Sequence, residues 1–166
     1  MRSTYVIAIG SNRRGRHGTP ADEVCAAVKR LGGVVAVAPT LMTPPIGPSQ
    51  RRFANSAVVI ESGESPPELL ARLKRIEHEF GRRRGRRWGA RVIDLDIVLW
   101  SGGVWAEPDL VIPHPAFRER LFVLAPLLAL VPRWRDPMSG RTVRQLAARL
   151  TRRARPPRSA PAGRGP

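Results

Sequence analysis

Cysteine is almost missing from this chain: Cys25 stands alone among 166 residues, so no intrachain disulfide can form. Its place in an amphipathic helical pattern predicts a buried small hydrophobe rather than a nucleophile. Lysine is nearly as scarce. Only Lys29 and Lys74 occur, so the 29 basic residues that outnumber 13 acids, for a net charge of +16, are almost all arginine. Such an excess favours anionic partners, from nucleotides and phosphorylated metabolites to nucleic acid or acidic membrane surfaces, without choosing among them. Aromatic residues make up 5% of the chain, few for a protein that stacks bases on exposed rings.

Long apolar runs are also lacking. The longest, residues 121–132, is well short of the roughly 20 residues of a membrane span and contains Pro126, so it reads as core. Residues 5–9 are too few for a signal-peptide core, and a cytoplasmic protein with no membrane partner is expected. The "GSNRRGR" stretch lacks the GK[ST] ending of a phosphate-binding loop, and no GxGxxG occurs. His17, His78 and His114 have no metal-ligand spacing; zinc is not indicated, and His17 and His78 are expected to face solvent.

What is present is a well-punctuated α+β pattern. Residues 5–9 read as a buried strand. Thr19, Pro20 and Asp22 then open a helix whose Val24, Ala27, Val28 and Leu31 recur at helical spacing before Gly32 and Gly33 end it. A second strand is expected over residues 34–41. "FANSAVVIE" alternates, so that Phe53, Asn55, Ala57 and Val59 share one face. Ser65, Pro66 and Glu68 open a second helix with the stripe Leu69, Leu73, Ile76 and Phe80, beside which Glu77 lies.

A fourth strand is expected over residues 91–100, followed by an apolar stretch and a short helix with Val143, Leu146, Ala147 and Leu150. The order βαββαβ predicts a ferredoxin-like α+β sandwich, helices on one face, with a helical C-terminal extension. Residues 1–150 form one domain. Residues 151–166, with five arginines, four prolines and no acid, predict a disordered tail.

The chemistry concentrates in "RRRGRRWGARVIDLDIVLW", residues 82–100. Alternation along a strand puts Asp94 and Asp96 on one face and Ile93, Leu95, Ile97 and Leu99 on the other. Two like charges there need a cationic neighbour. Magnesium suits such a pair because it takes few carboxylates and completes its shell with water and phosphate oxygens. Pairing with arginines at a solvated sheet edge is the second reading the residues leave open. The six arginines of residues 82–91 suit phosphate oxygens, with Gly85 and Gly89 loosening the backbone, yet alone they equally describe a solvated loop or a nonspecific nucleic-acid contact. Together, arginines and paired carboxylates are the parts for metal-assisted transfer from a nucleoside triphosphate.

"TPPIGP" (43–48), "FAN" (53–55), "RIE" (75–77), "RWGARVIDLDIVLW" (87–100) and "VIPHP" with Arg120 and Phe122 together resemble the 6-hydroxymethyl-7,8-dihydropterin pyrophosphokinase family of folate biosynthesis, over about residues 4–135. The resemblance implies that ATP's pyrophosphoryl group passes to the pterin hydroxymethyl group with release of AMP, on a ferredoxin-like fold with two magnesium ions. It implies that Asp94 and Asp96 hold the metals, with Asp94 also near the pterin, and that Arg82 and Arg91 act catalytically at the triphosphate. Glu77, Arg84, Trp88, Arg91, Ile97, His114 and Arg120 are implied as ATP contacts. Thr43, Pro44, Ile46, Asn55 and Trp88 are implied as pterin contacts, and Phe53 and Phe122 as rings that sandwich the heterocycle.

The chain departs from the family pattern in places. Phe53 stands where a tyrosine is frequent, Asp109 where some relatives carry a basic residue, and the arginine-rich segment after Asn12 has no assigned role. A monomer working on small molecules, without specific nucleic acid, is expected, and residues 82–91 are expected to order over bound ligands. The alternatives are a basic α+β nucleic-acid-binding module without catalysis and a noncatalytic interaction protein. The first calls for exposed aromatics, and the second leaves Asp94 and Asp96 without a purpose.

Overall fold

The computed structural model describes residues 1–44, 52–81 and 92–154. In chain order the elements are β1 (Ser3–Ser11), α1 (Pro20–Leu31), β2 (Val34–Val37), β3 (Leu41–Thr43), β4 (Phe53–Ser62), α2 (Pro66–Glu79), β5 (Asp94–Trp100), β6 (Trp105–Glu107), β7 (Leu110–Ile112), a 3-10 turn (Phe117–Glu119), α3 (Leu121–Leu130) and α4 (Val143–Ala154). The main sheet runs β2-β4-β1-β5, with β3 also paired to β4, and the pairings are antiparallel. This is the strand order of a ferredoxin-like sandwich.

The helix starts follow from local chemistry. Thr19 and Asp22 form a reciprocal capping box on α1, and Ser65 and Glu68 do the same on α2, each with a proline in the first turn. These caps satisfy amide groups that a helix start otherwise leaves without partners. The stripes then pack on one sheet face: Val24, Ala27 and Leu31 of α1 and Leu69, Leu73 and Ile76 of α2 meet Tyr5, Ile7, Ile9, Val58, Ile60, Leu95 and Ile97. Each such aliphatic side chain removed from water contributes about 1.5–3 kcal/mol.

The opposite face is covered as well, which the expectation of helices on one face did not include. Leu124 and Leu127 of α3, Val143, Leu146 and Ala147 of α4, and Phe117 pack on Val6, Ala57, Val59, Val98 and Leu99. Leu99 belongs to this second cluster, not with Leu95 and Ile97 as strict alternation predicts. The register between β1 and β5 shifts between Val6 and Ile7, so that Val6 faces Leu99 and Ile7 faces Ile97. Val98 is thus an extra residue in β5, and a β-bulge of this kind turns the following side chains over.

Other differences have similarly local causes. The expected second strand splits into β2 and β3 around Pro39, which has no N–H to give a ladder. β6 and β7 form a hairpin with no counterpart in the sequence reading. Cys25 is exposed, because Glu23 rather than Cys25 turns inward on α1. His17 is exposed as expected, and its ring Nδ1 is also bonded to that glutamate. α4 runs to Ala154, so residues 151–154 are helix rather than tail, with Thr151 Oγ1 donating to Ala147 O at 3.0 Å. Arginine is a good helix former, and the sequence supplies no breaker until Pro156.

The second layer is tied by one buried ion pair. Arg118 Nε and Nη2 donate to the two oxygens of Asp136 at 2.7 and 2.6 Å, Ser139 Oγ donates at 2.5 Å, and the Asp136 side chain is 1% exposed. Burial pushes the Asp136 carboxyl up, but the Arg118 and Ser139 hydrogen bonds outweigh it and hold the pKa at about 2. A folded pKa below the unfolded value means that the unfolded chain binds the proton more readily. The stabilisation is therefore full above pH 4 and is lost as pH falls toward 2. Asp136→Asn is expected to remove about 2 kcal/mol of stability at pH 7. Urea melts of both proteins across pH 7 to 2 check this, with the difference shrinking at the acid end.

Candidate active site

Register across three strands assembles the site. Gly10 of β1 lies between Asn55 of β4 and Asp94 of β5, and Ala8 lies between Ala57 and Asp96. With strands about 4.8 Å apart, Asn55 and Asp94 stand roughly 10 Å apart across the row, and Asp94 and Asp96 about 7 Å apart along β5. Alternation puts these side chains on the face that carries α3 and α4. Both aspartates are half-buried and each engages a partner, so neither is a bare charge. Gly10 has little spare room: a Cβ there would sit 3.3 Å from Asn55 Oδ1.

Asn55 is 5% exposed, and its Nδ2 donates to Thr43 Oγ1 at 2.7 Å. That bond fixes the amide, leaving its carbonyl and second N–H to read a flat polar edge. Thr43 pairs with Phe53 across β3 and β4, so Thr43, Phe53 and Asn55 form one corner of the site. Pro44 follows at this corner, exposed. Phe53 and Phe122 are both half-buried, and their rings make no contact with each other.

β5 is the edge of the sheet, and its outer groups are satisfied by two residues the sequence reading placed at the nucleotide. Glu77 is fully buried and accepts the Leu95 N–H at 2.8 Å, with Lys74 Nζ 3.1 Å away. His114 donates its backbone N–H to Val98 O at 3.0 Å, while its Nδ1 accepts the Ala116 N–H at 3.3 Å. Both are thus anchored beside the acid pair. Arg120 lies 5.8 Å over the Phe122 ring at the start of α3. Ile97 is packed in the core on the far face, which leaves only its main chain available to a ligand. Ile46, Arg82, Arg84, Trp88 and Arg91, and with them the expected ordering of residues 82–91, lie outside the described residues.

Among the described residues no group of three or more His, Cys, Asp or Glu gathers into a metal cage. The donors at the site are the oxygens of two carboxylates, which suit a hard divalent cation that keeps water and takes phosphate oxygens. Among the described residues, too, no helix is long and apolar enough to cross a membrane.

The antiparallel βαββαβ sheet thus sets two carboxylates and a tethered amide on one face of a ferredoxin-like sandwich. The chain belongs to the 7,8-dihydro-6-hydroxymethylpterin-pyrophosphokinase (HPPK) family, whose model matches residues 6–132. It is 38% identical over 154 residues to the 2-amino-4-hydroxy-6-hydroxymethyldihydropteridine pyrophosphokinase of Pseudomonas aeruginosa, covering 89% of this chain and 92% of that protein. It is 40% identical over 130 residues to the enzyme of the same name from Bacillus subtilis, covering 76% and 77%. With that of Synechocystis it shares 44% over 100 residues, which is 60% of this chain and 51% of that protein.

A solved structure of wild-type Plasmodium falciparum HPPK-DHPS superposes with a TM-score of 0.72 over 92% of this chain and 42% of that one; at 14% identity this bears on the fold alone. The family membership sets aside the noncatalytic nucleic-acid module.

Glu77→Ala is expected to lower stability by about 2–3 kcal/mol, since it leaves the buried Leu95 N–H without its acceptor. Glu77→Gln, which keeps an acceptor oxygen, is expected to cost less. Denaturant unfolding of the two variants checks the order; equal losses contradict the role given to the Leu95 bond.

Proposed function

We propose that the protein transfers the pyrophosphoryl group of ATP to the hydroxymethyl group of 6-hydroxymethyl-7,8-dihydropterin, in a magnesium-dependent step of folate biosynthesis. The substrate hydroxyl oxygen forms a bond to the β-phosphorus, the bond from that phosphorus to its bridging oxygen breaks, and AMP leaves with the oxygen. The hydroxyl proton passes to solvent. The observation that carries this reading is the row that aligns Asn55 with Asp94 across β1, with Asp96 one step along the same face.

Asp94 and Asp96 are proposed to hold two magnesium ions, which when bound neutralise the phosphate oxygens. Asn55, fixed by Thr43, is proposed to hydrogen-bond the amide-like edge of the pterin, with Phe53 and Phe122 stacking on its two faces and Pro44, Ile46 and Trp88 completing that pocket. Arg82 and Arg91 are proposed to stabilise charge developing on the transferred group. Arg84, Trp88, His114 and Arg120 are proposed to bind the nucleotide, along with the Ile97 main chain, and the buried Glu77 to shape that site from beneath through the Leu95 N–H. Stacking and bidentate arginine contacts together position the two reactants, which is where such transfers gain most of their rate. The working unit is a cytoplasmic monomer that needs no macromolecular partner.

A coupled assay of AMP release is expected to show turnover only with ATP, the hydroxymethyl pterin and magnesium all present. Asp94→Ala and Asp96→Ala are each expected to lower kcat at least about a thousandfold, ~4 kcal/mol in the transition state, while keeping a cooperative thermal melt. Full activity of both variants at saturating magnesium rules out the assignment of these carboxylates.

A further inference from the structure

The arginine-rich turn after β1 has no part in the reading above, yet it is held on three sides. Glu23 of α1 is fully buried, and both its oxygens are engaged by His17. Oε1 accepts the His17 backbone N–H at 2.7 Å, and Oε2 lies 2.8 Å from Nδ1 of the ring. The imidazole packs on Phe80, where α2 ends, with ring centroids 4.8 Å apart, and the Arg16 guanidinium lies 5.8 Å from the same ring. Gly15 and Gly18 close the turn through a pair of 3.3 Å backbone hydrogen bonds. A Cβ on Gly15 would come within 2.5 Å of both Glu23 Oε1 and Val92 Cγ1. Only glycine lets the turn seat between α1 and Val92, two residues ahead of Asp94.

A carboxylate is costly to bury, so Glu23 is a poor choice for packing alone. What it secures is a turn that leaves β1 at the site's end of the sheet, since Gly10 pairs with Asp94. The turn carries Arg13, Arg14 and Arg16, all exposed. Arg16 covers Phe80, and Arg14 acts weakly on Asp22, whose carboxyl is held low chiefly by hydrogen bonds from Thr19. Neighbouring like charges repel, and they stay concentrated only if the backbone beneath them is fixed.

We infer that Glu23 is a positioning residue for co-substrate binding: through His17 it fixes the 13–17 turn at the rim of the site, where Arg13 and Arg14 offer added positive charge to the nucleotide polyphosphate. This rests on the ATP-dependent reading of the site. It gives the arginine-rich departure after Asn12 a purpose, and it explains why an acid rather than an apolar residue is buried at position 23.

The test compares wild type, Arg13→Ala/Arg14→Ala, Glu23→Gln and the triple combination. KM for ATP and kcat are measured at saturating pterin and magnesium, alongside direct titration with an unreactive ATP analogue and a thermal melt of each protein. The arginine variant is expected to raise KM for ATP about tenfold, with kcat within about twofold and an unchanged melt, because both side chains are exposed. Glu23→Gln is expected to raise KM by a similar factor. The triple variant should go no further than the larger of the two, because the carboxylate acts through the arginines.

Unchanged ATP affinity in the arginine variant overturns the inference, as does a triple variant whose effects simply multiply. If Glu23→Gln does not fold, His17→Ala, which removes the ring's bond to Glu23, takes its place, and an unchanged KM for ATP in that variant overturns the positioning role. A wild type that releases no AMP contradicts the catalytic reading instead, and the analogue titrations then still decide whether the turn binds the nucleotide.

Discussion

Two carboxylates two residues apart on a strand must face the same side of the sheet, and most of this structure accommodates that constraint. β5 is an edge strand, so its outer amide and carbonyl groups need partners, which Glu77 and His114 supply at Leu95 and Val98. On its inner edge β5 is registered against β1, and β1 against β4, so a pair of acids becomes a row that begins at a tethered asparagine. The apolar contacts of α3 and α4 extend along the same face to Ala57 and Ala8, and the next row carries Asn55 and Asp94. The polar end of the face therefore follows from where the second layer stops.

The bulge at Val98 belongs to the same account. Without it, the side of β5 that carries Asp94 and Asp96 would continue through Val98 and Trp100, and Leu99 would point into the α1 and α2 layer. With it, Val98 and Leu99 both serve the second core, while Leu95 and Ile97 serve the first. One strand thus feeds two cores and a site, which a strictly alternating strand of seven residues does less well. The Arg118 and Asp136 pair has a comparable role at the other end of that layer, joining the 3-10 turn to the lead into α4 with charges that burial would otherwise disfavour.

Much of this was legible in the sequence where a residue's local chemistry decides its role. Thr19 with Asp22 and Ser65 with Glu68 announce two helix starts because capping depends on a spacing of three residues. Asp94 and Asp96 announce a shared face because strand geometry has a period of two. The family resemblance was likewise carried by short motifs in order. What was not legible depends on contacts far apart in the chain. The inward turn of Glu23 depends on His17 and Phe80 closing over it, and the flip at Leu99 on the register of another strand. The split around Pro39 and the helical turn at residues 151–154 lay within reach, through proline's missing donor and arginine's helix propensity, but were outweighed by apolar pattern and composition. Site residues that fall in 45–51 and 82–91 rest on sequence alone.

Asp94 and Asp96 are proposed to bind divalent metal together with the nucleotide. Manganese(II), which substitutes for magnesium and is read by electron paramagnetic resonance, measures this without turnover. With an unreactive ATP analogue present, the wild-type protein is expected to bind manganese in excess of what the analogue alone takes up. Asp94→Asn and Asp96→Asn should each lose that excess while still melting cooperatively. Manganese binding that is identical in all three proteins would contradict the account, and would return the acid pair to a role in the sheet edge alone.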